Sequence, residues 1–172
     1  ELLVRAHLLM GQIAFYGSNL ESSQNHFETV ITHLNNQDAA EKGYALLGLA
    51  SIACTQGDAI KTQYYATLAS QILEDDLIGK IYVKLIKAQA SSLHIETKEQ
   101  ALAELAEAEA NFFGAEDPFG RGLAALALYK LSQKEKHYRL AADIGQKKTL
   151  PLLVRLISGQ QYAPTPPFQL DQ

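Results

Sequence analysis

One turn recurs along this chain at equal intervals, and no other feature limits its fold so strongly. The residues that open the second helix of a predicted hairpin fall at Asn19, Asp58, Thr97 and Lys136, evenly spaced three times in succession. The clearest copy spans residues 45–72. Leu46, Leu47, Leu49, Ala50 and Ala53 recur at three- and four-residue steps before the turn, and Ile60, Tyr64, Tyr65, Leu68, Ala69 and Ile72 after it, the period of an α-helix with one apolar side. Between them Gly57 suits the left-handed conformation that ends a helix, and Asp58 suits the cap of the next one. A hairpin of this kind cannot bury its face alone, so equal spacing implies units stacked on one another.

The same reading extends along the chain. A first helix ends at Gly17-Ser18, and Ser18 with Glu21 has capping-box spacing. Asp38 would cap a third helix, and the acids Glu74, Asp75 and Asp76 suit the positive end of a fifth. Thr97 with Gln100 and Ser132 with Glu135 repeat the capping spacing. Gly114 stops a sixth helix, and Asp117-Pro118 is a cap followed by proline at the first helical position. The units are about 2–37, 38–75, 76–115 and 117–148, with a capping helix over 149–158. A repeat domain over 1–158 precedes a Pro-rich tail, 159–172. Phe168 and Leu170 in that tail are expected to pack on an apolar surface of this chain or of a second copy.

Small and aromatic residues fall at matching places in the units. They are Met10-Gly11, Ser23, Phe27 and Val30 in the first, and Leu46, Leu49-Ala50, Thr62, Ala66 and Ala69 in the second. The third has Leu85, Ala88-Gln89, Ala101, Leu105 and Ala108, and the fourth Ala127-Leu128, Leu140 and Ile144. On these residues the chain resembles the tetratricopeptide repeat family, over roughly residues 2–148. It departs in having no Trp, no proline closing each repeat, and a unit longer than the family's usual one. The longer unit resembles the MalT-like subclass of bacterial regulators and signalling ATPases; HEAT arrays, with hairpins of similar length, are the rival. The resemblance implies an all-α fold, a right-handed superhelical array of about four helix-turn-helix hairpins plus a short C-terminal helix.

Composition agrees with that class. Hydrophobic residues make up 47% and charged residues 20% of the chain, which excludes a disordered or fibrous protein. A net charge of −4 gives no general reason to bind nucleic acid. Acids concentrate between Glu96 and Asp117, and bases between Lys130 and Lys148, as on solvated helix faces; a basic docking patch is the other reading. Cys54 lies in an apolar helical run as a structural thiol of a reducing compartment. No apolar run approaches the length of a membrane helix, and a cytoplasmic location is expected. The chain opens on Glu1 without an initiator Met, which suggests a piece of a larger protein, and the resemblance implies a bacterial one.

No catalytic, cofactor or metal constellation stands out. His26 and His33 share a helix face, but no further ligand completes a set at known spacing. The letters Gly120-Arg121-Gly122 begin a helix and follow no strand, which removes a dinucleotide fingerprint. An enzyme is not expected. What the resemblance implies instead is a concave surface lined by the first helix of each hairpin. Carried over by position, it holds Arg5, Leu8, Gln12, Phe15 and Tyr16, then Tyr44, Leu47, Ser51, Cys54 and Thr55. Val83, Ile86, Ala90, Leu93 and His94 follow, then Tyr129, Ser132 and Gln133. The same stripe would equally fill the inside of a tightly wound superhelix. Leu8 and Gln12 stand where carboxylate-clamp members carry Lys and Asn, so the expected ligand is an apolar peptide or amphipathic helix. The expected function is a protein- or peptide-binding scaffold, with no nucleic-acid or membrane partner and with self-association through the tail. The alternative is the ligand-sensing segment of a MalT-like transcriptional regulator or signalling ATPase.

Overall fold

The computed structural model describes residues 2–35, 39–92 and 98–158. Asp38, Leu93, His94, Thr97, Phe168 and Leu170, which carry expectations above, lie outside the described residues. Those described form nine helices and no strand: α1 (Leu2–Tyr16), α2 (Leu20–Leu34), α3 (Ala40–Thr55), α4 (Ala59–Ile72), α5 (Leu77–Ser91), α6 (Lys98–Gly114), α7 (Pro118–Ser132), α8 (Glu135–Lys147) and α9 (Pro151–Ile157). The all-α class follows. No helix among the described residues is long and apolar enough to cross a membrane.

Each helix packs on the next in sequence, and the odd-numbered helices also form a row: α1 on α3, α3 on α5, α5 on α7, α7 on α9. The row is the core. Ten residues of α3 are buried, from Gly43 through Ala53 with only Tyr44 half-exposed, whereas α4 buries Thr62, Ala66 and Ala69 alone. An odd helix is therefore apolar nearly all round, and an even helix is amphipathic with its polar side in water.

Small residues set how closely the layers approach. The Phe27 ring of α2 is fully buried between Gly11 of α1 and Gly48 of α3, and a methyl group on Gly11 would stand 2.6 Å from it. Ala50, Ala66, Ala69, Ala101 and Ala108 are all completely buried, in keeping with close contact within and between hairpins. Gly120 and Gly122 press against Phe112 and Leu153. These are helix-packing glycines, which gives them a structural use in place of any phosphate-binding one.

The turns repeat in detail. At Gly57 (φ +78°) the chain takes the left-handed conformation; the Asp58 N–H donates to the Ala53 carbonyl, and the Asp58 carboxylate accepts from the Lys61 N–H at 2.9 Å. The same arrangement closes α1, with Ser18 at φ 64° and Asn19 capping α2 through the Ser22 N–H. It also closes α6, with Glu116 at φ 55° and Asp117 capping α7 through the Gly120 N–H. Two capping expectations are corrected here, those at Ser18 and Ser132. Asn19 caps α2 where Ser18 was expected, because Ser18 is consumed in the left-handed turn. Helix α6 does end at Gly114, and the left-handed position falls two residues on, at Glu116. Ser132 does not take the cap position: its hydroxyl donates back to the Leu128 carbonyl and accepts from the Lys134 N–H at 3.2 Å, and α8 starts after Lys134 with no side-chain cap. The fourth hairpin is accordingly out of step. Helices α2, α4 and α6 begin at equal intervals, at Leu20, Ala59 and Lys98, but α8 begins early, at Glu135, so Lys136 lies inside it.

Candidate functional site

The first helices of the hairpins do face one another, but the residues expected to line a groove are largely covered. Leu8, Leu47, Ser51 and Ile86 have no exposed surface, and Gln12, Phe15, Tyr16, Val83 and Ala90 are buried. Arg5, Tyr44, Cys54, Thr55, Tyr129 and Ser132 are half-exposed, and Gln133 is exposed. Arg5 pairs with Glu41 across α1 and α3 at 3.5 Å.

A contact across the row lies at the end of α1. The Tyr16 ring lies edge-to-face with Phe119 at the start of α7, their centroids 6.1 Å apart. The first and fourth hairpins therefore meet. Around this junction sits a buried polar group. The Tyr44 hydroxyl donates to the Asp76 carboxylate at 2.7 Å, and burial followed by that bond pushes its phenol well above the ordinary range. Tyr82 is fully buried against Phe112, centroids 4.8 Å apart. Its hydroxyl lies near Asp117 and Tyr16 without a well-formed hydrogen bond, and burial, then the Asp117 charge, holds its phenol well above the ordinary range. Such a group is expensive to bury and cheap to disturb.

An open concavity lies elsewhere, where the α6–α7 turn meets α8. It encloses about 580 Å³. Phe112, Phe113, Pro118, Leu140 and Ile144 make its apolar lining, and Glu116, Asp117, Arg121, Asp143, Lys147 and Lys148 its polar edge. Phe113 is 65% exposed. The Arg121 guanidinium lies 4.3 Å over its ring and is held there by Glu109 of α6. Lys147 pairs with Asp143 one turn earlier at 3.1 Å, whereas exposed Lys148 has no ion pair among the described residues. In the acidic and basic stretches read from the sequence, Glu107 pairs with Lys84 across α5 and α6, and Arg139 pairs with Glu135 one turn earlier on α8. Sequence reasoning missed this concavity. Its signal was the pair Phe112-Phe113 at the end of an Ala- and Glu-rich helix, one ring turned inward and one outward.

Two further clusters bear on chemistry. His7 of α1 joins His26 of α2, Nδ1 to Nδ1 at 3.0 Å, and stacks on His33 with centroids 6.2 Å apart. Burial, then the neighbouring His26 and His33, lowers the His7 pKa. No three His, Cys, Asp or Glu side chains among the described residues are arranged to hold a metal ion. Cys54, without a basic neighbour in sequence, gains Lys130 from α7 in space. Burial nonetheless dominates and pushes its thiol up to about 11, so it is no nucleophile near neutral pH.

No family model, no curated protein and no solved structure matches this chain.

Proposed function

We propose that the chain is a protein-binding scaffold of tetratricopeptide-like hairpins, and that it engages its partner at the α6–α7/α8 concavity. The observation that carries this reading is the exposed Phe113 ring, held flat under Arg121 beside an apolar cleft. An aromatic and an arginine fixed in a cleft are what binding hot spots are made of. The partner that fits is an amphipathic helix, one apolar side chain entering between Phe113, Leu140 and Ile144 and a carboxylate meeting Lys148. A preformed cleft costs little ordering on binding. Titration of labelled amphipathic peptides, read by fluorescence anisotropy, tests the assignment. Phe113→Ala should weaken binding about tenfold or more, the scale of a hot-spot loss. A panel that binds equally well to the variant, or not at all to the parent, counts against it.

One observation favours the second reading, a ligand-sensing segment of a regulator. The Tyr16–Phe119 contact closes the inner side of the row over a polar group with an ill-satisfied Tyr82 hydroxyl. A ligand preferring an opened form would shift that packing and expose Gln12, Tyr44, Leu47 and Ile86. Faster hydrogen exchange along α1 on adding a ligand would support this reading; unchanged protection would remove it.

A further inference from the structure

The outer side of α1 carries an apolar stripe with nothing packed on it among the described residues. Leu2 is 84% exposed and Ile13 63%, with Leu3, Leu9 and Met10 also exposed, and Ala6 lies among them. A stripe of this kind on one helix marks an interaction surface.

The matching helix shows what such a stripe does. Helices α1 and α3 end at equivalent turns, one repeat apart, at Tyr16 and Thr55. Ala6, Leu9, Met10 and Ile13 therefore correspond to Ala45, Gly48, Leu49 and Ile52, which are buried, with Gly48 pressed onto the Phe27 ring of the preceding hairpin. The α1 stripe is thus the array's stacking face, with one change. Leu9 fills the place where Gly48 leaves a hole for the ring. A preceding hairpin with an aromatic like Phe27 would collide with it.

Leu2, Ala6, Leu9 and Ile13 are spaced four, three and four apart, the seam of a helix that pairs with another helix. Run antiparallel against itself, the seam is complementary in size: Ala6 meets Leu9 of a second copy, and Leu2 meets Ile13. No charged residue lies on the seam, and Arg5 beside it is tied to Glu41. We infer that this face of α1 is a two-fold interface on which a second copy of the chain seats its own α1, antiparallel. An interface of this type uses the same patch twice and closes on itself.

Sedimentation equilibrium of the full chain, over about 1–200 µM to cover a moderate dissociation constant, should show a monomer–dimer equilibrium. Ile13→Glu should abolish it while leaving the circular dichroism unchanged, and Leu9→Gln should weaken it. Deleting residues 159–172 should leave the dimer intact; loss of the dimer on that deletion would place the contact in the tail and overturn the inference. Direction is read by cross-linking. A mixture of Ala6→Cys and Leu9→Cys chains, each also carrying Cys54→Ser, should oxidise to a disulfide-linked dimer faster than either alone. Self-linking of each variant faster than the mixture would mean a parallel pair and would overturn the arrangement. A monomer at every concentration, or an unshifted equilibrium in Ile13→Glu, would overturn the interface itself.

Discussion

Gly48 and Gly114 are both helical glycines with opposite surroundings. A methyl on Gly48 would overlap the Phe27 ring, which is fully buried and has Gly11 on its other side; a methyl on Gly114 meets nothing within 4 Å. Alanine gains about 1 kcal/mol of helix propensity at either place, and overpacking costs about 1–3 kcal/mol only at the first. Gly48→Ala should therefore lower the denaturation midpoint and Gly114→Ala should hold or raise it, in urea unfolding read by circular dichroism. His7 supplies a second test. Its folded-state pKa lies below the ordinary 6.5, so below neutrality the unfolded chain binds the proton more readily. The stability this represents is whole above about 6.5 and is lost as pH falls through that value toward the lowered one. His137 is lowered too, by burial and then by Lys136 and Lys134, and adds to the same slope. Thermal melts between pH 7 and 5 should show stability falling with pH, and His7→Gln should flatten part of the fall. An unchanged slope would mean the histidine cluster does not couple to folding.

Among the elements, the start of α7 combines two roles. Asp117 caps the helix through the Gly120 N–H, and its charge faces the buried Tyr82 phenol. Asp117→Ala should cost about 1–2 kcal/mol, the range for a lost cap. Asp117→Asn keeps the cap and removes the charge, so it should cost much less while bringing the Tyr82 titration down toward its ordinary range. Equal losses in the two variants would show that the charge, not the cap, is what matters. The helices were readable because each carries an apolar period and most carry a stop signal; Gly57-Asp58 and Asp117-Pro118 read directly. Ser18 takes left-handed backbone that sequence assigns to glycine, and a capping pair such as Ser132 with Glu135 can be spelled without supplying the cap.

Across the whole molecule, the row of odd helices followed from the equal spacing of the turns, but the inner surface did not. Whether Leu8, Leu47 and Ile86 line an opening or fill it depends on how each hairpin rotates on the last, a sum of small angles that no residue states. The meeting of Cys54 with Lys130 and of Tyr16 with Phe119 depends on the same angles. The last of these contacts also bears on how the molecule comes apart. A stack whose units touch only their neighbours can lose them one at a time from either end. Tyr16 and Phe119 tie the first hairpin to the fourth, so fraying at one end must also undo the other. Unfolding should be a single sharp transition with coincident fluorescence and circular-dichroism curves, and Tyr16→Ala should separate the two curves. Coincident curves in the variant would show that neighbour contacts alone make the chain melt as one body.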